Sequence, residues 1–309
     1  MATPKSSSAA TASRKTPTKP KAAAKRAAAT SPAALWKALK SPQSSAKVRI
    51  DALNALGWSI ADDRDSYRTV LAIVANAQAK PMLRAAALAA AHSVTFDVQR
   101  FPALRPDYLR TLRALGDDTD LEIRQRALGM LMREKDAPTQ QRLMDGLREP
   151  NKAILPPEKA LQLLAYEVHG DAYAVAREIA EKPPSAIARR EALRLLAADS
   201  ASTPIFERIV KDKGENSEVR RLSASALHQL APNKLQSLAR DITMDEGEDK
   251  ELRASCLVAL AQFGDKAKLQ GDIALLDHVD KLRVDELAHA PGSALGQAAQ
   301  QFTGRYGKR

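Results

Sequence analysis

The chain has 309 residues, a formal net charge of +11, aromatic side chains at only 4% and a single cysteine. One cysteine excludes an intramolecular disulfide framework and points to a reducing compartment, and no apolar run reaches the roughly 18 residues a membrane-spanning helix needs. Glycine is scarce at 13 residues, and Ala and Leu recur throughout, a composition that favours packed helices over sheet.

The charge is unevenly placed. Positions 1–40 hold nine basic residues and no acid, whereas positions 41–309 hold 39 basic and 37 acidic residues. Residues 1–31 are rich in Ala, Ser, Thr, Pro and Lys, with too little apolar surface to offset the entropy of ordering, so a disordered basic tail is expected there. In composition this segment resembles the Lys/Ala/Pro-rich tails of linker-histone-like proteins. Arg14, Lys15, Lys19, Lys21, Lys25 and Arg26 are its candidate nucleic-acid contacts, acting through counterion release, weakly and with strong salt dependence. A solubilising leader and an organellar targeting segment are the alternatives for the tail, although prolines spoil an amphipathic presequence helix.

The pattern changes at Ser31-Pro32, a fitting N-cap and first-turn pair, after which Ala34, Leu35, Ala38 and Leu39 share one helical stripe. A motif of apolar residue, arginine, small residue and apolar pair then returns seven times, at Arg49, Arg84, Arg124, Arg189, Arg220, Arg253 and, degraded, Arg283. The arginines lie 35, 40, 65, 31, 33 and 30 residues apart, and the long gap holds a worn copy at Glu158–Leu164 preceded by Pro156-Pro157. A period near 33 residues predicts a stacked-helix array. First helices are expected at Tyr67–Ala77, Pro106–Leu115, Thr139–Leu147, Ala172–Ala180, Pro204–Lys211, Lys234–Ile242 and Lys266–Leu275, each followed by a second helix at the motif. The turns at 117–120, 215–217 and 246–249 carry acidic and hydroxyl side chains suited to capping the second helices. Leu282–Ala290 reads as a degraded repeat, and Ser293–Phe302 as a closing helix that covers the last core face with Leu295, Ala298, Ala299 and Phe302.

An acidic turn leading into Val-Arg-x-x-Ala-x-x-Ala-Leu resembles HEAT repeats, in particular the short HEAT-like units of phycobilisome-lyase-type proteins, over roughly Ala33 to Ala290. The resemblance implies an all-α, right-handed HEAT-like α-solenoid of about eight helix pairs across residues 32–309. It also implies that the motif arginines stack with turn carboxylates of neighbouring repeats, and that Ala52, Ala87, Ala127, Ala192, Ser223 and Cys256 permit close helix contact.

Catalytic chemistry leaves little trace. The five histidines, His92, His169, His228, His278 and His289, are widely spaced; none sits in the His-Glu pairs with which metal-dependent HEAT-repeat hydroxylases hold iron. No phosphate-cradling glycine loop or nucleophile elbow is present. No metal or cofactor is expected. HEAT-like alkylpurine DNA glycosylases use a basic groove with tryptophans, but Trp36 and Trp58 both fall in the first repeat and the body is nearly neutral. Bilin lyases of similar architecture give a lysine-rich tail no role. The expected function is therefore a non-enzymatic scaffold or adaptor, cytoplasmic or associated with nucleoid or chromatin, with DNA binding or alkylpurine excision in the groove as the alternative. Polar positions beside the motif supply the candidate partner-binding face: Asp51, Asn54, Gln125, Arg126, Arg190, Arg194, Arg221 and His228. Its plain alternative is a solvated helix surface with incidental arginines.

Overall fold

A computed structural model describes residues 31–166 and 170–307. Among them are seventeen α-helices, four short 3-10 helices and no strand, so the protein is all-helical. By contacts the chain divides into two compact units between Ala127 and Leu128, and each has its own apolar core.

The first unit starts with α1 (Pro32–Lys40), where the Ser31 hydroxyl accepts the Ala34 N–H and proline takes the first turn. In α2 (Ala46–Leu56) Ser45 caps in the same way, and Gly57, at φ +52°, ends the helix in a backbone region that glycine enters without a Cβ clash. There follow α3 (Arg64–Ala75), capped by Asp63, α4 (Pro81–Ser93), α5 (Phe101–Leu115) and α6 (Leu121–Arg133), within which the division falls. Helix α1 packs on α2 and α3 on α4, while α2 lies beside α4 and α3 beside α5. The interior holds Leu53, Ile60, Tyr67, Val70, Leu88, Tyr108 and Leu112, all nearly solvent-free. The Tyr67 hydroxyl is satisfied by donating to the Ala91 carbonyl at 3.0 Å.

In the first unit one boundary differs from expectation by more than a turn. Helix α5 begins at Phe101 rather than Pro106, which sits inside it. Proline this near the start removes a single ladder hydrogen bond, and burial of Phe101 and Leu104 recruits the preceding turn.

The second unit contains α7 (Ala137–Arg148), α8 (Pro157–Leu164), α9 (Gly170–Glu181), α10 (Ala186–Leu196), α11 (Thr203–Lys211), α12 (Ser217–Leu230), α13 (Pro232–Met244), α14 (Lys250–Phe263), α15 (Lys266–Gly271), α16 (Ile273–His289) and α17 (Ala294–Tyr306). Helices α8, α10, α12, α14 and α17 follow one another in one packed row, and α9, α11, α13 and α16 pair with members of it. The small motif residues are buried as the repeat requires: Ala192, Ser223 and Cys256 have no exposed surface here, and Ala52, Ala87 and Ala127 at most 2% in the first unit.

The end of the chain departs from the expected helix pair. The short α15 ends at Gly271, Asp272 caps a new helix by accepting the Leu275 N–H, and α16 then runs unbroken for 17 residues, from the last three residues of the expected first helix through His289 of the degraded motif. Glu286 stands where other repeats carry a small residue. It is buried, and accepts from Lys250 Nζ at 2.7 Å and Ser293 Oγ at 2.6 Å, which tethers α16 to α14 and to the cap of α17.

Candidate partner-binding groove

The motif arginine sits near the start of each second helix, one residue past its apolar partner, so its stem passes inward beside the preceding helix. From Arg84, Arg220 and Arg253 the Nε group donates to the carbonyl ten residues earlier, at Val74 (2.8 Å), Val210 (3.2 Å) and Thr243 (3.2 Å). Arg49 reaches Leu39 at 2.9 Å and Arg189 reaches Ala180 at 3.1 Å in the same manner. Each of these bonds satisfies an orphan carbonyl at the end of a first helix.

The outer guanidinium nitrogens then reach the next turn. Arg84 clamps Asp118 with both Nη groups, Arg189 Nη1 donates to Glu215 Oε2 at 2.6 Å, and Arg220 binds Glu248 at 2.6 and 3.0 Å. The acidic turns thus divide their labour. In each, one residue caps the following helix (Asp120, Asn216, Asp249) and an earlier acid (Asp118, Glu215, Glu248) receives the arginine. Hydrogen bonding from Arg84 holds the Asp118 carboxyl below its ordinary range, and bonding to Glu248 raises Arg220 further. The remaining copies break the rule, Arg49 among them, since its next turn at 76–80 carries no acid. Arg124 Nε is buried with no hydrogen-bond partner, and the copy that follows it in sequence offers Pro156-Pro157 rather than an acidic turn. Arg253 finds an imidazole in place of a carboxylate, with Nη2 at 3.1 Å from His278 Nε2.

A second polar row lies one residue further along the same helices. Arg190 Nη1 donates to Glu218 at 3.1 Å, and Arg221 Nη1 lies 3.2 Å from Asp249 and 3.6 Å from Glu251. Arg194 pairs with Glu191 at 2.6 Å and Arg126 with Glu122 at 2.5 Å. The four candidate arginines are therefore each engaged by a carboxylate within the protein. Asp51 and Asn54 are exposed on α2, Gln125 is half-buried on α6 beside the exposed Arg126, and His228 is half-buried on α12. The nucleic-acid tail residues Arg14, Lys15, Lys19, Lys21, Lys25 and Arg26 lie outside the described residues.

The structure brings His228 into a groove of about 570 Å³ across α12, α14 and α17. Ala224, Ala254 and Ala298 floor it, and Ser225, Gln229, Ser255, Val258, Gln262, Gln297 and Gln301 rise from it. Among the described lining residues Glu251, at one end, is the only acid, and there is no lysine or arginine. The His228 ring meets the half-exposed Phe263 edge-on at 4.7 Å, at the end where Gln229 and Gln262 sit. Apart from His228, sequence reading missed this lining. The available signal was the fifth and ninth positions after the motif arginine, Ser225 and Gln229 in α12, Val258 and Gln262 in α14, which fall on one helical face.

A separate polar centre ties α3 to α5 in the first unit. Asp107 is 3% exposed and accepts from Arg64 (2.6 Å), Arg68 (3.0 Å) and Arg110 (3.1 Å), and bonding from Arg64 before all else holds its carboxyl far below the ordinary range. Trp36 is half-buried under Lys40, and Trp58 is half-exposed in the turn after α2 rather than on a second-helix face. Among the described residues no three His, Cys, Asp or Glu side chains gather to hold a metal ion, and no helix is long and apolar enough to cross a membrane.

Comparison of the chain with protein-family models and with curated proteins finds no match.

Proposed function

We propose that the protein is a non-enzymatic scaffold or adaptor, in which paired helices form successive rungs of a right-handed HEAT-like solenoid, about eight pairs over the chain, and a protein partner docks on the concave second-helix face. The observation that carries this reading is the groove across α12, α14 and α17, which is open, nearly uncharged and flanked by Arg221, itself paired with Asp249 and Glu251. The basic tail adds weak, sequence-independent contact with nucleic acid, and the protein acts in the cytoplasm, at nucleoid or chromatin where the tail finds polyanion.

The test separates tail from body. Filter binding to random-sequence duplex DNA is expected to collapse when Arg14, Lys15, Lys19, Lys21, Lys25 and Arg26 are all changed to Gln, and to weaken steeply from 50 to 200 mM salt before that change. Retention of full DNA binding by that variant would move the nucleic-acid site to the body and favour the groove-binding or alkylpurine-excision reading, which release of alkylated bases from DNA would then decide.

A further inference from the structure

Above an apolar floor, the groove presents carboxamides and hydroxyls with scarcely any charge. Its rim charges are internally paired, Arg221 with Asp249 and Glu251, and Lys250 with Glu286. Of its four glutamines only Gln297 has an intramolecular side-chain bond among the described residues, Nε2 to the Gly292 carbonyl at 3.1 Å. Gln229, Gln262 and Gln301 are exposed and offer both a donor and an acceptor.

Such a surface suits a ligand that is itself rich in neutral donor and acceptor pairs. The peptide group is that ligand, provided its N–H and C=O are not already bonded. A helix or a paired strand satisfies its own main chain, so it would leave the carboxamides idle; an extended single segment would not. The dimensions agree. The C-terminal end of α17 lies beside that of α14, where the Tyr306 hydroxyl donates to the Ala261 carbonyl at 3.3 Å, so α14 and α17 run side by side in one direction. Neighbouring packed helices stand about 8–10 Å apart and an extended chain advances about 3.3 Å per residue, so a crossing segment meets a new helix about every three residues. We infer that the α12–α14–α17 groove binds an extended, uncharged polypeptide segment of about six to eight residues, gripped by its main chain through Gln229, Gln262, Gln297 and Gln301.

This rests on the docking function proposed above, and the experiment keeps the two apart. Random linear 12-residue peptides displayed on phage are selected against the full chain, and the strongest are synthesised and measured by fluorescence anisotropy. Gln262→Ala combined with Gln301→Ala, both on exposed positions, is expected to weaken binding at least tenfold with an unchanged far-UV spectrum and Tm. Backbone N-methylation at the contacting residues of the peptide is expected to cost a similar factor, while side-chain changes at those residues cost little. Ser255→Arg, which fills the groove, is expected to abolish binding. Peptides that lose binding with Ser255→Arg yet tolerate N-methylation, or that depend on one charged side chain, would overturn main-chain recognition and leave the groove as a docking site. Selection that yields no binders, or binders indifferent to Ser255→Arg, would overturn this inference, and the second result would also remove the docking role of the groove.

Discussion

Arg220 and Arg221 are adjacent in sequence and differ in almost everything else. Arg220 lies in the interior row, 5% exposed, bound to the Val210 carbonyl and to a buried Glu248. Arg221 lies in the outer row, with Asp249 at 3.2 Å and Glu251 at 3.6 Å in contact with solvent. One residue of helix turns a side chain by about 100°, enough to carry it from a water-excluded seam to the rim of a groove. The comparison teaches that charge counting alone misreads this protein, because identical residues at neighbouring positions serve as structural clamp and as solvated strut.

The largest expected effect tests the clamp. Arg220→Ala leaves Glu248 buried without its cation, and should cost the second unit about 3–5 kcal/mol in urea unfolding followed by circular dichroism. Adding Glu248→Gln should recover part of that loss, since a neutral amide tolerates burial better than an orphan carboxylate. An Arg220→Ala loss no greater than that of Arg221→Ala would erase the distinction between the rows.

The equivalent clamp in the first unit responds to pH. Because Arg84 lowers the folded-state pKa of Asp118, the pair contributes stability that is fully present above the ordinary carboxylate pKa of about 4 and is lost as pH falls through the lower folded value. Asp118→Asn should therefore lower the urea midpoint clearly near neutral pH and converge on the unmodified protein in acid. Asp107→Asn should act in the same direction, as its carboxyl is depressed more strongly by Arg64 and Arg68. Curves that stay parallel down to strong acid would show that neither carboxylate is coupled to folding.

Cys256 probes the same seam by reactivity. Burial pushes its thiol up to about 12, well above the ordinary cysteine value of about 8.5. The native thiolate fraction near pH 8 is then roughly a thousandfold below that of a free thiol, and labelling by a disulfide reagent should follow unfolding rather than reagent concentration. Rapid labelling of the native protein would mean that the α14 seam opens easily.

Much of the interior was legible in the sequence because it repeats. The arginines, the small residues three positions beyond them and the acidic turns recur at one period, and the structure joins Arg84, Arg189 and Arg220 to carboxylates of the next turn. The end of the chain was less legible. Nothing local distinguishes the Leu282–Ala290 motif from a second helix; what decides is Asp272 starting a helix that no proline or glycine interrupts before Pro291-Gly292. The groove was least legible. Solvent-facing glutamine and serine leave no periodic hydrophobic signal, and Arg190 and Arg221 gave no hint in sequence that Glu218, Asp249 and Glu251, about 28–30 residues on, would pair with them.

The smallest expected effect lies in that outer row. Arg221→Ala and Arg190→Ala should each change stability by less than about 1 kcal/mol at low salt, because an ion pair in contact with water exchanges one set of favourable interactions for another. The difference should shrink further in 1 M salt, where the screening length falls to about 3 Å. Each substitution also leaves a carboxylate unpaired, Glu251 at the groove and Glu218 at the start of α12, so its signature belongs in binding rather than in folding. If peptides with one added lysine gain affinity for Arg221→Ala but not for the unmodified protein, the outer row works as an electrostatic shield that keeps the groove neutral; a stability loss rivalling that of Arg220→Ala would instead make it a second structural ladder.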